Sequence, residues 1–166
     1  YILWIAANLW LGKDDAVDKT QESKFKYTSA NKILLVAVGI QIIYGAFMSG
    51  LKAGFRFPTF PLMNGDFIPP YLMDSNPWYI NFLNNKNMIQ FMHRYLALFI
   101  AIYGIYIAMK VFKNISDLHV RNGAIALLAA IFVQITLGAI TAISFQSGEI
   151  PVFWGVVHQW GALVLL

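Results

Sequence analysis

Two histidines, His93 and His158, stand inside long apolar runs of this sequence. Burying an ionisable side chain in hydrocarbon is costly, so each marks either a functional position or a polar contact between helices. Neutral imidazole carries a nitrogen lone pair that suits a metal. His93 lies about six residues into its run and His158 about seven residues past Pro151, which at 1.5 Å per residue sets both roughly 10 Å below the same surface. A zinc or copper site built from these two would lack further ligands in the spans. His119, beside Asp117 and Arg121 in a short connection, reads as a solvated residue. No Ser–His–Asp set, phosphate loop or carboxylate pair lies at membrane depth; Asp66, Asp74 and Glu149 fall in loops. With no cysteine, disulfides, iron–sulfur clusters and thiolate-ligated metals are excluded within this chain.

The elements that must position these histidines follow from composition. The chain is 58% hydrophobic and 12% charged, about half the charged fraction of a soluble domain. Its apolar residues are blocked into runs over 33–51, 88–109, 124–145 and 150–166. A bilayer core is crossed by roughly 20 apolar residues, so the first three are full spans and the fourth is clipped. Lipid offers the backbone no hydrogen-bond partner, so the runs must be helical. The expected fold is an all-α integral membrane protein, a four-helix transmembrane bundle (residues 33–166) with a long aromatic outer loop (52–87). Residues 1–12 read as the end of a preceding helix and 13–32 as a cytoplasmic link. With no initiator Met and no signal-peptide pattern, the chain reads as cut at both ends.

Charge sets the orientation. Lys13, Lys19, Lys24, Lys26 and Lys32 share one side with Lys110, Lys113 and Arg121, whereas the other side has Lys52, Arg56 and Lys86. The positive-inside rule places the first group in the cytoplasm and the 52–87 loop outside. That loop holds five prolines and many aromatics, which argues for an ordered cap with Trp and Tyr at headgroup depth.

Two spans share a phrase. Gln41-Ile42-Ile43-Tyr44-Gly45-Ala46 in the first matches Gln134-Ile135-Thr136-Leu137-Gly138-Ala139 in the third. In each, the Gln, the Gly four later and a small residue four after that (Ser49, Ala142) stack on one face. The plain alternative is that small residues only let membrane helices pack closely. The second and fourth spans each carry one histidine. Imidazoles at matched depth across a bundle are what a six-coordinate haem iron needs. Small residues near them (Ala97, Ala101, Gly104; Gly155, Gly161, Ala162) would leave room for a flat macrocycle. Arg94 cannot point the same way as His93, but it can snorkel outward and, with Lys52 and Arg56, pair with haem propionates.

The run from Gly45 to Gly54 (GAFMSGLKAG), with Pro58 to Gly65 (PTFPLMNG), resembles the signature of the haem A synthase family. So do Gln90-Phe91-Met92-His93-Arg94 and His158-Gln159. The resemblance covers about Asn31 to Leu166. It implies an eight-span protein of two similar halves, with this chain as the carboxy-terminal half, spans five to eight. It implies an oxidoreductase that converts the methyl group of haem O to the formyl group of haem A. It also implies a haem b ligated by His93 and His158, with haem O and haem A handled in the other half. There, a glutamate stands three residues before the His-Arg pair. Here that position is Gln90, which joins the cofactor-binding candidates. The resemblance therefore puts the catalytic carboxylate outside this chain and leaves no catalytic residue assigned within it. Iron with both axial positions filled has no open site for oxygen, so the oxidation belongs elsewhere.

Two other readings stand beside this one: a membrane b-type cytochrome subunit that only carries electrons, and a bundle without cofactor. The outer-loop motif separates the first reading from the electron carrier, which has no evident need of it. Expected partners are the lipid bilayer, haem, a haem O synthase, an electron donor and a second copy of the chain, with no nucleic acid. The many Asn and Lys residues favour a bacterial cytoplasmic membrane over the mitochondrial inner membrane.

Overall fold

The computed structural model describes residues 21–165. The expected helix end at 1–12 and the first part of the 13–32 link lie outside them. The described residues form α1 (Gln21–Gly50), a short α2 (Asn81–Asn84), α3 (Lys86–Asn114), α4 (Leu118–Ser144) and α5 (Val152–Leu165). Single 3₁₀ turns lie at Ala53–Phe55, Trp78–Ile80 and Phe145–Ser147. The fold is all-α, as expected. Three stretches are long and apolar enough to cross a bilayer: Ala30–Gly50, Lys86–Asn114 and Leu118–Ser147. The chain is thus a multi-pass membrane protein. The described part of α5 holds 14 residues, about 21 Å at 1.5 Å per residue.

Helix starts are set by side chains that satisfy the first free N–H groups. Asn85 caps α3, its side chain accepting from the Asn87 and Met88 amides. Asp117 caps α4 through bonds from the His119 and Val120 amides. The described part of helix α1 runs back to Gln21, within the segment expected as a link.

Neighbouring helices pack in sequence order, α1 on α3, α3 on α4 and α4 on α5. The tight apolar core lies toward the cytoplasmic ends expected from the charge pattern. It joins Leu34, Ala37 and Val38 of α1 to Ile100, Ile107, Ala108 and Val111 of α3, and to Ala124 and Ile131 of α4. Gly104 belongs to this core: a Cβ there would stand 2.7 Å from Ile131 Cδ1. Many large apolar side chains, Ile43, Phe132 and Leu163 among them, stay exposed. Such a surface would be a liability in water, but it matches lipid tails.

The outer loop is ordered by the first turns of α3. Met63 and Asp66 exchange backbone hydrogen bonds around Asn64 and Gly65, whose φ values are 55° and 99°. Asn and Gly tolerate this left-handed conformation, so the Asn-Gly pair makes a two-residue hairpin turn. Asn81 is fully buried and bonds Ser75 N, Ser75 O and Trp78 O. Asn85 donates to the carbonyls of Tyr71 and Leu72, and Asn87 to that of Pro70. Tyr71, Trp78 and Tyr79 remain exposed on the cap.

Candidate functional site

His93 projects from α3 seven residues after its start, and His158 from α5 six residues after its start. The two helices share no extended packing, yet their imidazoles meet with ring centroids 6.3 Å apart and planes at 83°. Both residues are half-buried.

Each ring rests on the shared phrase of a neighbouring helix. Gln41 Nε2 of α1 lies 3.2 Å from His93 Nδ1 and 3.3 Å from its Nε2. One turn outward, a Cβ on Gly45 would stand 3.5 Å from His93 Cε1. Gln134 Nε2 of α4 lies 3.1 Å from His158 Nδ1. One turn on, a Cβ on Gly138 would stand 3.0 Å from His158 Cε1 and 3.3 Å from its Nε2. The repeat therefore has a spatial meaning: Gln and Gly, four apart on one face, receive the edge of an imidazole.

The two supports differ in wiring. Gln134 Nε2 also donates to the main-chain carbonyl of His158 at 2.7 Å, tying the amide to the α5 backbone. A Cβ on Gly161 would collide with Gln134 Oε1, so α5 approaches α4 closely there. Gln41 has no such tether, and its Oε1 is buried without a partner.

Gln90 and Arg94 face the outer loop. Gln90, fully buried, accepts from Phe57 N–H at 3.1 Å and donates to Phe57 O at 2.9 Å. Arg94 donates to Phe57 O at 2.7 Å, Thr59 O at 2.8 Å and Leu62 O at 3.4 Å. The Pro58–Gly65 motif thus offers main-chain carbonyls to one guanidinium. Arg56 Nε donates to Asn87 Oδ1 at 2.8 Å and lines an outer cleft of about 400 Å³ with Tyr71, Asp74, Asn85, Lys86 and Asn87. Lys52 is exposed, in the left-handed region at φ 52°. The structure brings His93 and His158 together and gathers Gln90 and Arg94 on the loop, with Lys52 and Arg56 at its exposed face.

The donor set discriminates between kinds of metal site. Among the described residues no group of three or more His, Cys, Asp or Glu could hold a bare ion. A haem brings four nitrogens of its own and asks the protein for two. Two metal–imidazole bonds of about 2.0–2.1 Å, plus the distance from each nitrogen to its ring centre, give about 6 Å between ring centres. The observed 6.3 Å fits that spacing. At Gly45 and Gly138, which carry no Cβ, the rings themselves come within 3.5 and 3.0 Å of where one would stand.

Sequence reasoning noted Gln41 and Gln134 only as parts of a repeat. The signal that they belong to the site was their place, one turn from glycine, at the depth of the histidines. Asn81, Asn85 and Asn87 were not singled out; an amide-rich stretch opening a span was their only trace.

A family model described as cytochrome oxidase assembly protein (COX15-CtaA) matches residues 1–166. The chain is 32% identical over 163 residues to a protein of Flavobacterium psychrophilum named Heme A synthase, covering 97% of this chain and 47% of that one. It is 40% identical over 133 residues to a Heme A synthase of Bartonella quintana, covering 80% of this chain and 36% of the relative. For the Heme A synthase of Wolbachia pipientis the figures are 34% over 151 residues, 89% and 40%. The chain thus spans less than half the length of these relatives. No solved structure matches it.

Proposed function

Because the chain belongs to the cytochrome oxidase assembly protein family, we propose that it is the carboxy-terminal, haem-b-binding half of a haem A synthase. The activity carried over from the relatives' name is that of an oxidoreductase. It converts the methyl group of haem O to the formyl group of haem A for terminal oxidase biogenesis. The observation that carries the haem b site is the meeting of His93 and His158 across the gap between α3 and α5.

In this reading His93 and His158 would hold the haem iron. Gly45 and Gly138 keep the ring edges free of a Cβ. Arg94, held by the outer loop, retains N–H donors beyond those its three carbonyl contacts use, and these serve a propionate. Lys52 and Arg56 supply further positive charge on the same side, and Gln90 holds the loop that closes the site. The haem supplies a one-electron iron couple when bound. With both axial positions taken, this half transfers electrons or stabilises the assembly, and the oxidation of haem O belongs to the rest of the protein. Haem O synthase and an electron donor are its proposed partners, self-association its proposed assembly, and the bacterial cytoplasmic membrane its location.

The filled axial positions equally suit a b-type cytochrome that carries electrons only. Two experiments on the full-length protein separate the readings. Reduced-minus-oxidised spectra should carry a low-spin b-type signal that both His93→Ala and His158→Ala abolish; a signal indifferent to both substitutions would rule the site out. Conversion of added haem O to haem A, read by chromatography of extracted haem, supports the synthase. Haem binding without conversion leaves the electron carrier.

A further inference from the structure

Two observations at Gln41 are not used by axial ligation itself. Its side chain is the only one among the described residues within hydrogen-bond distance of the His93 ring nitrogens. Its Oε1 is buried without a donor. A neutral imidazole that gives one nitrogen to a metal keeps a proton on the other. Ligation at His93 therefore creates an N–H donor beside an amide that holds an unused acceptor. The terminal torsion of Gln is broad and roughly two-fold, so the torsion itself lets the amide turn and exchange its N and O.

We infer that Gln41 is a positioning residue for the haem site, its carbonyl oxygen accepting the free ring N–H of His93 when the other nitrogen is ligated. The inference rests on the bis-histidine reading above and extends it to an outer partner. Such a partner fixes the ring's tautomer and orientation and raises its basicity as a ligand. A more basic ligand favours ferric over ferrous iron.

Gln134 is the internal contrast. It occupies the matching place, but its Nε2 already donates to the His158 carbonyl at 2.7 Å. Turning that amide would break the bond and face one carbonyl oxygen with another. Gln134 therefore anchors the backbone of α5 and turns an N–H, not an acceptor, toward His158 Nδ1 at 3.1 Å. The same residue pair, repeated, has separated into two roles.

The test uses the full-length protein purified from membranes, with haem content and haem midpoint potential read in parallel. Gln41→Leu removes the acceptor at similar size, Gln41→Glu keeps one, and Gln134→Leu is the control. Gln41→Leu is expected to raise the midpoint potential, or to weaken haem binding about 10-fold or more, the usual cost of losing such a partner. Gln41→Glu should retain haem with a potential at or below that of the parent. Gln134→Leu, which removes an N–H donor and no acceptor from His158 Nδ1, should not raise the potential of the haem it retains. An unchanged potential and full haem in Gln41→Leu would overturn the inference while leaving the two ligands in place. So would loss of haem from both Gln41 variants, because side-chain shape rather than the acceptor would then matter. A parent protein with no low-spin haem would overturn both the inference and the reading beneath it.

Discussion

The two half-sites are built from the same three residues and are held by different means. His93 sits on a span whose outer end is clamped to the 52–87 loop through Gln90 and Arg94, while its own Gln41 is loosely wired. His158 sits on α5, where Gln134 bonds the helix backbone directly. One half-site draws its rigidity from a folded loop outside the bundle and the other from a helix–helix contact within it. A duplicated pattern can thus keep its ligands while dividing the work of holding them, because the outer connection differs: 52–87 in one hairpin, and the Phe145–Ser147 turn with Gly148 in the other.

The sharpest way to break that contrast is to remove the clamp. Arg94→Ala should release the loop from α3 and leave the carbonyls of Phe57, Thr59 and Leu62 without their shared donor. Hydrogen bonds to a charged group contribute about 1.5–3 kcal/mol each, and losing the set should cost about 3 kcal/mol or more. The expected result is a lower unfolding temperature in detergent and new protease cleavage within 57–66. Arg94→Lys keeps the charge but lacks the planar fork, and it should recover only part of the loss. Equal stability in Arg94→Ala would take Arg94 out of the clamp and leave the loop held by Gln90.

Next in size is Gly138→Ala. The added methyl would stand 3.0 Å from His158 Cε1, closer than ordinary contact, so the ring or α5 must shift. Overpacking of this kind costs about 1–3 kcal/mol. It should appear as reduced haem content. Gln134→Leu comes third. It removes one bond to the His158 carbonyl, worth about 1 kcal/mol, and should loosen α5. Faster hydrogen exchange confined to residues 152–165 is the expected readout; exchange unchanged there would place the support of α5 elsewhere.

Much of this was legible in the sequence, and the remainder was hidden for stated reasons. The three full spans and the matched places of His93 and His158 follow from run lengths. The Gln-x-x-x-Gly phrase was visible as a repeat. The clamp was not, because Arg94 binds main-chain carbonyls, which any residue carries, so the loop sequence does not advertise the contact. Gly104 was expected beside His93 with the other small residues, yet it packs on Ile131 in the apolar core, because the α3–α4 crossing decides which face is crowded. The difference between Gln41 and Gln134 was equally hidden, since it depends on where the α5 backbone lies and not on residue type.

The smallest expected effect tests the same asymmetry from the other side. A methyl at Gly45 would stand 3.5 Å from His93 Cε1, an ordinary van der Waals distance, and among the described residues it meets no other neighbour. Alanine also favours a helix over glycine by up to about 1 kcal/mol. Gly45→Ala should therefore leave stability unchanged or slightly raised, with haem content kept, while its partner Gly138→Ala loses both. The comparison needs no knowledge of the rest of the protein, because the two positions match in the repeat and differ by 0.5 Å in the space each ring leaves (3.5 against 3.0 Å). Equal damage from the two substitutions would mean that both rings need a bare backbone face, and the half-sites would then be equivalent in packing despite their different wiring. Damage at Gly138 alone would place the tighter ring on α5, where Gln134 holds the backbone that carries it.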